Sequence, residues 1–426
     1  MGIPIEAASP LSNLKSPAGT AANRLRARVV ALSGAAPLAE HVAAWNDLAG
    51  QAIEPNPFYE PWLMLPAIDA YGEGRQLQFV LVYLPDPQRA EAPPRLCGFF
   101  PLERIKRYRG LVLPHLRLWQ HRHCVLGTPL LRAGQAQEAL AAFLDWLGRE
   151  PGGAVAMEWG RVAGDGLFHK ALELALDHAR LPRFLAQRHT RGVLRRRESA
   201  DAYIEAALPK KGSRRELRRL EKRLGETGAL SYEECRRPEE MERWIGEFVA
   251  LEGSGWKGRL GSALGSTEAN RRFFLRAARE GARSGKLQML GLRLDGRPVA
   301  LKCNFLAAAG TRLAGFTFKI GYDEAYRKYS PGTLLELENI RRFHARPELQ
   351  WMDSCAIPEH FMINRLWLDR RVIQTLLIST GRPWGSLVVS ALPLAQWLYH
   401  KLFRGLYLKV RPRPEIAVAL ATAVPI

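Results

Sequence analysis

The chain has 426 residues, 47% of them hydrophobic and 24% charged, enough apolar side chain for two sizeable cores. Its formal net charge of +20 favours anionic partners: nucleic acid, anionic lipid, acidic polysaccharide or a phosphorylated cofactor. Five cysteines without a C-x-x-C pair read as buried thiols in a reducing compartment rather than disulfides or a zinc site, and no stretch has the apolar length of a membrane span.

Residues 1–24, rich in Ala, Ser, Pro and Gly and lacking a continuous apolar run, are expected to form a disordered tail rather than a signal peptide. A strand follows at 27–34, then helical segments near 38–50 and 58–71. "QLQFVLVYL" and "RLCGFFPLE" pair across a Pro-rich loop, and "LVLPHLRLW" forms a third strand despite Pro114. A helix at 135–149, the strand "AVAMEW", a helix at 166–179 and the strand "FLAQRHT" close this first half. A basic helix over 212–227 joins it to the second, with Ser213 and Glu216 in a capping-box pattern and Leu217, Leu220 and Leu224 as one apolar stripe.

The second half repeats the order. Strand 229–235 leads to a helix from Pro238 and, beyond a Gly-rich loop, a second helix capped by Thr267. "KLQMLGLRL" and "PVALKCNF" flank Asp295-Gly296, a strong hairpin signal. "TRLAGFTFKI" is the third strand, a helix opens at Ser330-Pro331-Gly332, and "LQWMDSC", a helix from Pro358 and the strand 372–378 complete the copy. Serine as N-cap and proline at the first position suit any helix start. Glycine at the second costs stability unless something must approach the backbone.

Three antiparallel strands followed by a helix resemble the GNAT acyltransferase fold. The patterns "PNPFYEPWL", "RRELRRLEKRLGETG", "GWKGRLGSAL", "YDEAYRKYSPGTLL" and "DSCAIPEHFMINRLWLDRR" are similar to those of the Fem-type aminoacyl transferases and of acetyltransferases associated with cellulose and exopolysaccharide synthesis. The resemblance implies an α/β fold of two tandem GNAT-like domains, each a mixed, mostly antiparallel sheet flanked by helices. Its domains would be 25–195 and a catalytic 196–385, with 386–426 an amphipathic segment and tail.

The resemblance further implies a transferase using acetyl-CoA or another acyl-CoA, with the donor in the second copy, since the first has "GTPLLRAGQAQ" where the second has Ser-Pro-Gly. Lys319, Ser330, Pro331, Gly332 and Thr333 are the donor-binding candidates: a helix N-terminus offers unpaired N–H groups to a pyrophosphate. Asp353, Glu359, His360, Tyr322 and Asp323 are the candidate acid–base and orienting groups. Trp256, Lys257 and Cys355 are expected to touch the acceptor, a saccharide or other amine or hydroxyl, with Cys355 read first as a buried strand thiol. An aminoacyl-tRNA donor held by the basic helix, and a non-catalytic scaffold for polysaccharide synthesis, are the competing readings. "LAQWLYHKLFRGLYLKVRPRP" suits either packing on the second domain or lying on an anionic membrane. The expected location is cytoplasmic, with peripheral contact at the inner face of the membrane.

Overall fold

The computed structural model describes residues 27–407 apart from 90, 109, 110, 151, 256–260 and 262. Each half has the same element order. In the first, β1 (Arg28–Ser33) is followed by α1 (Val42–Gly50) and α2 (Pro61–Tyr71). The meander is β2 (Leu77–Leu84), β3 (Arg95–Tyr108) and β4 (Leu111–Leu118), with the short β5 (Leu130–Leu131) paired to β3. Then come α3 (Ala136–Arg149), β6 (Ala156–Ala163), α4 (Gly166–His178) and β7 (Arg183–Arg195). Pro114 fits within β4 because it falls opposite the register shift between Ile105 and Arg107, where the ladder to β3 is already interrupted.

Two helices join the halves. One, α5 (Ala200–Ala207), is absent from the sequence reading although Ser199 caps it, accepting from the Ala202 amide at 3.1 Å. The other is the basic α6 (Lys211–Gly225). It starts one residue before the expected span, so Ser213 lies inside it without capping, and Glu216 pairs with Arg219 instead of reaching back.

The second half runs β8 (Leu230–Glu234), α7 (Met241–Ser254), α8 (Glu268–Arg283), β9 (Leu287–Leu294), β10 (Arg297–Ala309) and β11 (Arg312–Tyr322). It continues through α9 (Pro331–His344), β12 (Leu349–Asp353), α10 (Phe361–Leu366) and β13 (Asp369–Ser379), and ends in α11 (Pro383–Tyr407). Thr267 caps α8 through the Asn270 amide, as its sequence position predicts. Asp295 and Gly296 both take positive φ, the turn that lets β9 and β10 pair directly.

The described strands form one sheet in the order β1-β2-β3-β4-β6-β13-β7-β12-β11-β10-β9-β8. The last strand of each half has changed places. β13 pairs antiparallel with β6 of the first half, β7 with β12 of the second, and the two exchanged strands pair with each other at the centre. A single core spans the join, bringing Trp45, Phe58 and Trp62 together with Phe274, Phe305 and Phe316. Gly281 of α8 makes this possible, because a Cβ there would stand 2.8 Å from the Trp62 ring.

Candidate active site at the seam of the two halves

The third meander strand of the second half, β11, runs parallel to β12 only from Leu313 to Phe316. Beyond the Phe316–Asp353 pair β12 ends, while β11 continues to Tyr322, so the two strands part. The opening is bordered by the start of α9 on one face of the sheet and by α7, α8 and a loop of the first half on the other.

On the first face, Asp323 caps a 3-10 turn (Glu324–Tyr329) by accepting from the Ala325 amide, which gives one oxygen of this candidate orienting group a structural task. Ser330 does not cap α9: it occupies the left-handed region, φ 54°, and its side chain forms no cap hydrogen bond. Its carbonyl instead accepts from the Thr333 and Leu334 amides, and the Gly332 amide forms no hydrogen bond among the described residues. A Cβ on Gly332 would meet only Tyr322 Cδ1 at 3.6 Å and Ile320 Cδ1 at 3.8 Å, ordinary contacts. The fold itself therefore does not require glycine there. Arg327 and Lys328 are exposed on the 3-10 turn, against which α6 packs, and Lys211, Arg215, Arg218 and Lys222 of α6 are exposed without ion pairs among the described residues.

Lys319 faces the other way. Its Nζ lies 3.1 Å from Oε1 of Glu252 on α7, whereas Ile320 and Tyr322 pack with α9. The structure thus separates Lys319 from Ser330–Thr333, contrary to the grouping drawn from sequence. Glu252 is buried and accepts the Leu264 amide through its second oxygen. Gly321 permits this pairing, because α7 backbone at Glu252 stands 3.2 Å from where its Cβ would be.

Asp353 closes β12 as an anchor. Arg191 of β7 approaches its carboxylate at 2.7 Å through both Nε and Nη2, and Arg371 of β13 at 2.9 Å, while the Cys355 amide donates to Oδ1. Burial alone would raise the Asp353 pKa, but the two guanidiniums outweigh it and hold the carboxyl below its ordinary range. An acid so engaged is a poor proton acceptor, which argues against its reading as a general base. Cys355 takes positive φ, and burial followed by the neighbouring Asp353 charge pushes its thiol well above the ordinary value, so it is not an activated nucleophile. His360 caps α10, its Nδ1 accepting from Ile363, and Glu359 is exposed. Trp256 and Lys257 lie outside the described residues.

The sequence reading missed what the first half contributes. Asn56, in the "PNPFYEPWL" pattern, donates to the Leu126 and Thr128 carbonyls, and the Tyr59 hydroxyl donates to Trp119. These bonds hold the 119–128 loop over the second half, and Arg191 adds a bond to the Val125 carbonyl. The loop carries His121 and His123 into contact with α8. His123 Nε2 is 3.2 Å from Asn270 Oδ1, which also accepts from the Tyr71 hydroxyl, and its ring stacks on Phe273. Burial first, and the Lys319 charge second, bring the His123 pKa from 6.5 down to about 3. His121 is also driven well down, again by burial, and its Nε2 is buried without a hydrogen-bond partner among the described residues. Two histidines in the polar run "WQHRHC", directly after a meander strand, were the available sequence signal.

The fold is that of a GNAT-type acyltransferase, a mixed and largely antiparallel sheet flanked by helices. The family model described as "Acetyltransferase (GNAT) domain" matches residues 211–361, which contain β11, the start of α9 and Asp353; by class the chain is a transferase. Among solved structures, FemX superposes with a TM-score of 0.50 at 10% identity, over 82% of this chain and 98% of that one. A conserved protein of unknown function from Bacteroides thetaiotaomicron VPI-5482 gives 0.48 at 11% identity, over 80% and 96%. A tandem GNAT protein from the clavulanic acid biosynthesis pathway gives 0.38 at 14%, over 83% and 99%. No curated protein matches the chain.

Proposed function

We propose that the chain transfers an acetyl or related acyl group from acyl-CoA to an amine or hydroxyl of a cell-envelope or exopolysaccharide saccharide, at the cytoplasmic face of an anionic membrane. The observation that carries this reading is Gly332: a glycine the fold does not need, with an uncommitted amide, at a helix start beside the parting of β11 and β12. Residue patterns shared with exopolysaccharide-associated acetyltransferases suggest the acceptor class.

In this reading the Gly332 amide and the Ser330 hydroxyl face the donor's pyrophosphate, with Arg327 and Lys328 adding positive charge. The acceptor enters on the opposite face, between Lys319 and the 119–128 loop. Glu252, held against Lys319, receives the proton of the attacking amine or hydroxyl. Tyr322, beside Gly332, is the acid for the leaving thiolate. Positioning and electrostatic stabilisation account for most of the rate in such a direct attack.

Calorimetric titration with acetyl-CoA, and separately with tRNA, tests the donor. Saturable acetyl-CoA binding that weakens about tenfold or more in Gly332→Leu, with Gly332→Ala near wild type in thermal stability, is the expected result. Binding of tRNA through the basic helix with no response to acetyl-CoA would replace this reading with the aminoacyl-tRNA one.

A further inference from the structure

Helix α11 leaves the body of the protein partway along its length. Gly385 is buried, and Val389, with the half-buried Leu392, packs in a cluster with Tyr108, Leu113, Ala156, Phe184 and Leu377. Gly385 sets the docking distance, since the Val155 carbonyl oxygen would stand 1.9 Å from a Cβ there. From Pro393 to Leu398 every residue is exposed. Trp384, Leu387, Ala391, Leu394 and Leu398 recur at alternating spacings of three and four, which places them in one stripe on the side of the helix away from Gly385 and Val389. Their exposure is large: 72% for Trp384, 61% for Leu394 and 54% for the adjoining Trp397.

The stretch of chain that carries this stripe has charge of one sign. No Asp or Glu occurs between Asp369 and Glu415, whereas Arg382, Lys401, Arg404, Lys409, Arg411 and Arg413 do. Lys401 Nζ sits 4.7 Å from the Trp397 ring centroid. The β3–β4 hairpin, whose Tyr108 and Leu113 belong to the same cluster as Val389, adds exposed Lys106, Arg107 and Val112. Lys106 and Arg107 form no ion pair among the described residues. A second copy docked along the stripe would bring cation against cation with no carboxylate on the helix to offset it. No helix among the described residues is long and apolar enough to cross a membrane. Tryptophans and a basic margin around an apolar stripe are instead what an anionic bilayer surface takes up.

We infer that α11, with the Lys106–Arg107 hairpin beside it, is a docking surface for an anionic membrane, the helix lying in the headgroup region with its Trp384–Leu398 stripe toward the acyl chains. This deepens the membrane part of the proposed function and is independent of the acyl donor. Apolar insertion of the stripe and neutralisation of several cations near an anionic surface act together to give reversible binding.

Full-length protein sedimented with phosphatidylcholine vesicles, with and without phosphatidylglycerol, tests the inference. Binding is expected only with phosphatidylglycerol and should weaken as salt rises. Leu387→Ser/Leu394→Ser should reduce it about tenfold or more, and Lys106→Glu/Arg107→Glu should reduce it and flatten its salt dependence. Acetyl-CoA titration of the same variants reports on the donor separately and should match wild type. Equal binding to both vesicles, no binding to either, or a wild-type dimer by light scattering that the Leu387→Ser/Leu394→Ser pair dissociates would each overturn the docking surface.

Discussion

His123 and His121 are neutral because the seam excludes water, and this gives stability a definite pH dependence. In the unfolded chain an imidazole takes up its proton near 6.5, whereas folded His123 does not until about 3. Between these values the unfolded state binds more protons, so lowering the pH favours unfolding; above 6.5 the effect vanishes. Urea midpoints measured from pH 7 downward should therefore fall through this window, and His123→Phe should make the decline shallower. Asp353 is shifted in the same direction, from a lower starting value. Its folded pKa lies below the ordinary carboxylate value, so its contribution is complete at neutral pH and is lost only at lower pH than the histidine effect begins. At this scale, sequence identified the residues better than their roles. Asp353 was recognised as special, but of the two arginines that fix its charge Arg371 merely closes the same sequence pattern, 18 residues on, and Arg191 stands 162 residues away, where no local pattern reaches. Ser330 has the side chain of a cap and the backbone of a left-handed turn, and only the dihedral distinguishes the two.

Among the elements, α9 is tied to the sheet by buried polar groups as well as by Leu334, Leu335 and Ile340. Lys302 and Glu336 are fully buried and 2.7 Å apart; Glu336 also accepts from Asn339 and Trp367, and Asn304 bridges Asn339 and Gln288. A buried pair of this kind need not add net stability over a well-packed apolar pair, but removing one member leaves the other charge unpaired in the interior. Lys302→Met alone should cost about 3–5 kcal/mol, and the double variant Lys302→Met/Glu336→Leu clearly less, measured by denaturant unfolding. Restored stability with lost acetyl-CoA binding in the double variant would mean that the polar array orients the helix start, not only the core. Periodicity revealed α9 and its flanking strands, yet Lys302 stands in "PVALKCNF" with nothing nearby to signal a buried ammonium. Turn chemistry was more legible: Asp295-Gly296 and Thr267 do what their positions predict because each acts within three residues of itself.

At the scale of the whole molecule, the repeat of element order was readable because both halves use the same alternation of strand and helix periods. Which strand neighbours which was not, since a period of two says only that a strand has two faces. The exchange of β7 and β13 ties the halves into one sheet, and Asp353 joins them chemically through an arginine on each exchanged strand. Asp353→Asn removes the charge that both guanidiniums were buried against. It should destabilise by about 3–5 kcal/mol, and unfolding followed by tryptophan fluorescence and by circular dichroism should remain a single coincident transition. Two resolved transitions would mean that the halves unfold separately.

The exchanged strands also set a timetable. β6 ends at Ala163 and its permanent neighbour begins at Asp369, so the edge of the first half waits through 206 residues of synthesis, 369 minus 163. At ribosomal speed that is roughly 10–40 s. The side of β6 that receives β13 is therefore without its final partner until nearly all of the described chain has been made. The centre of the sheet can close only once β13, through Ser379, has itself been made.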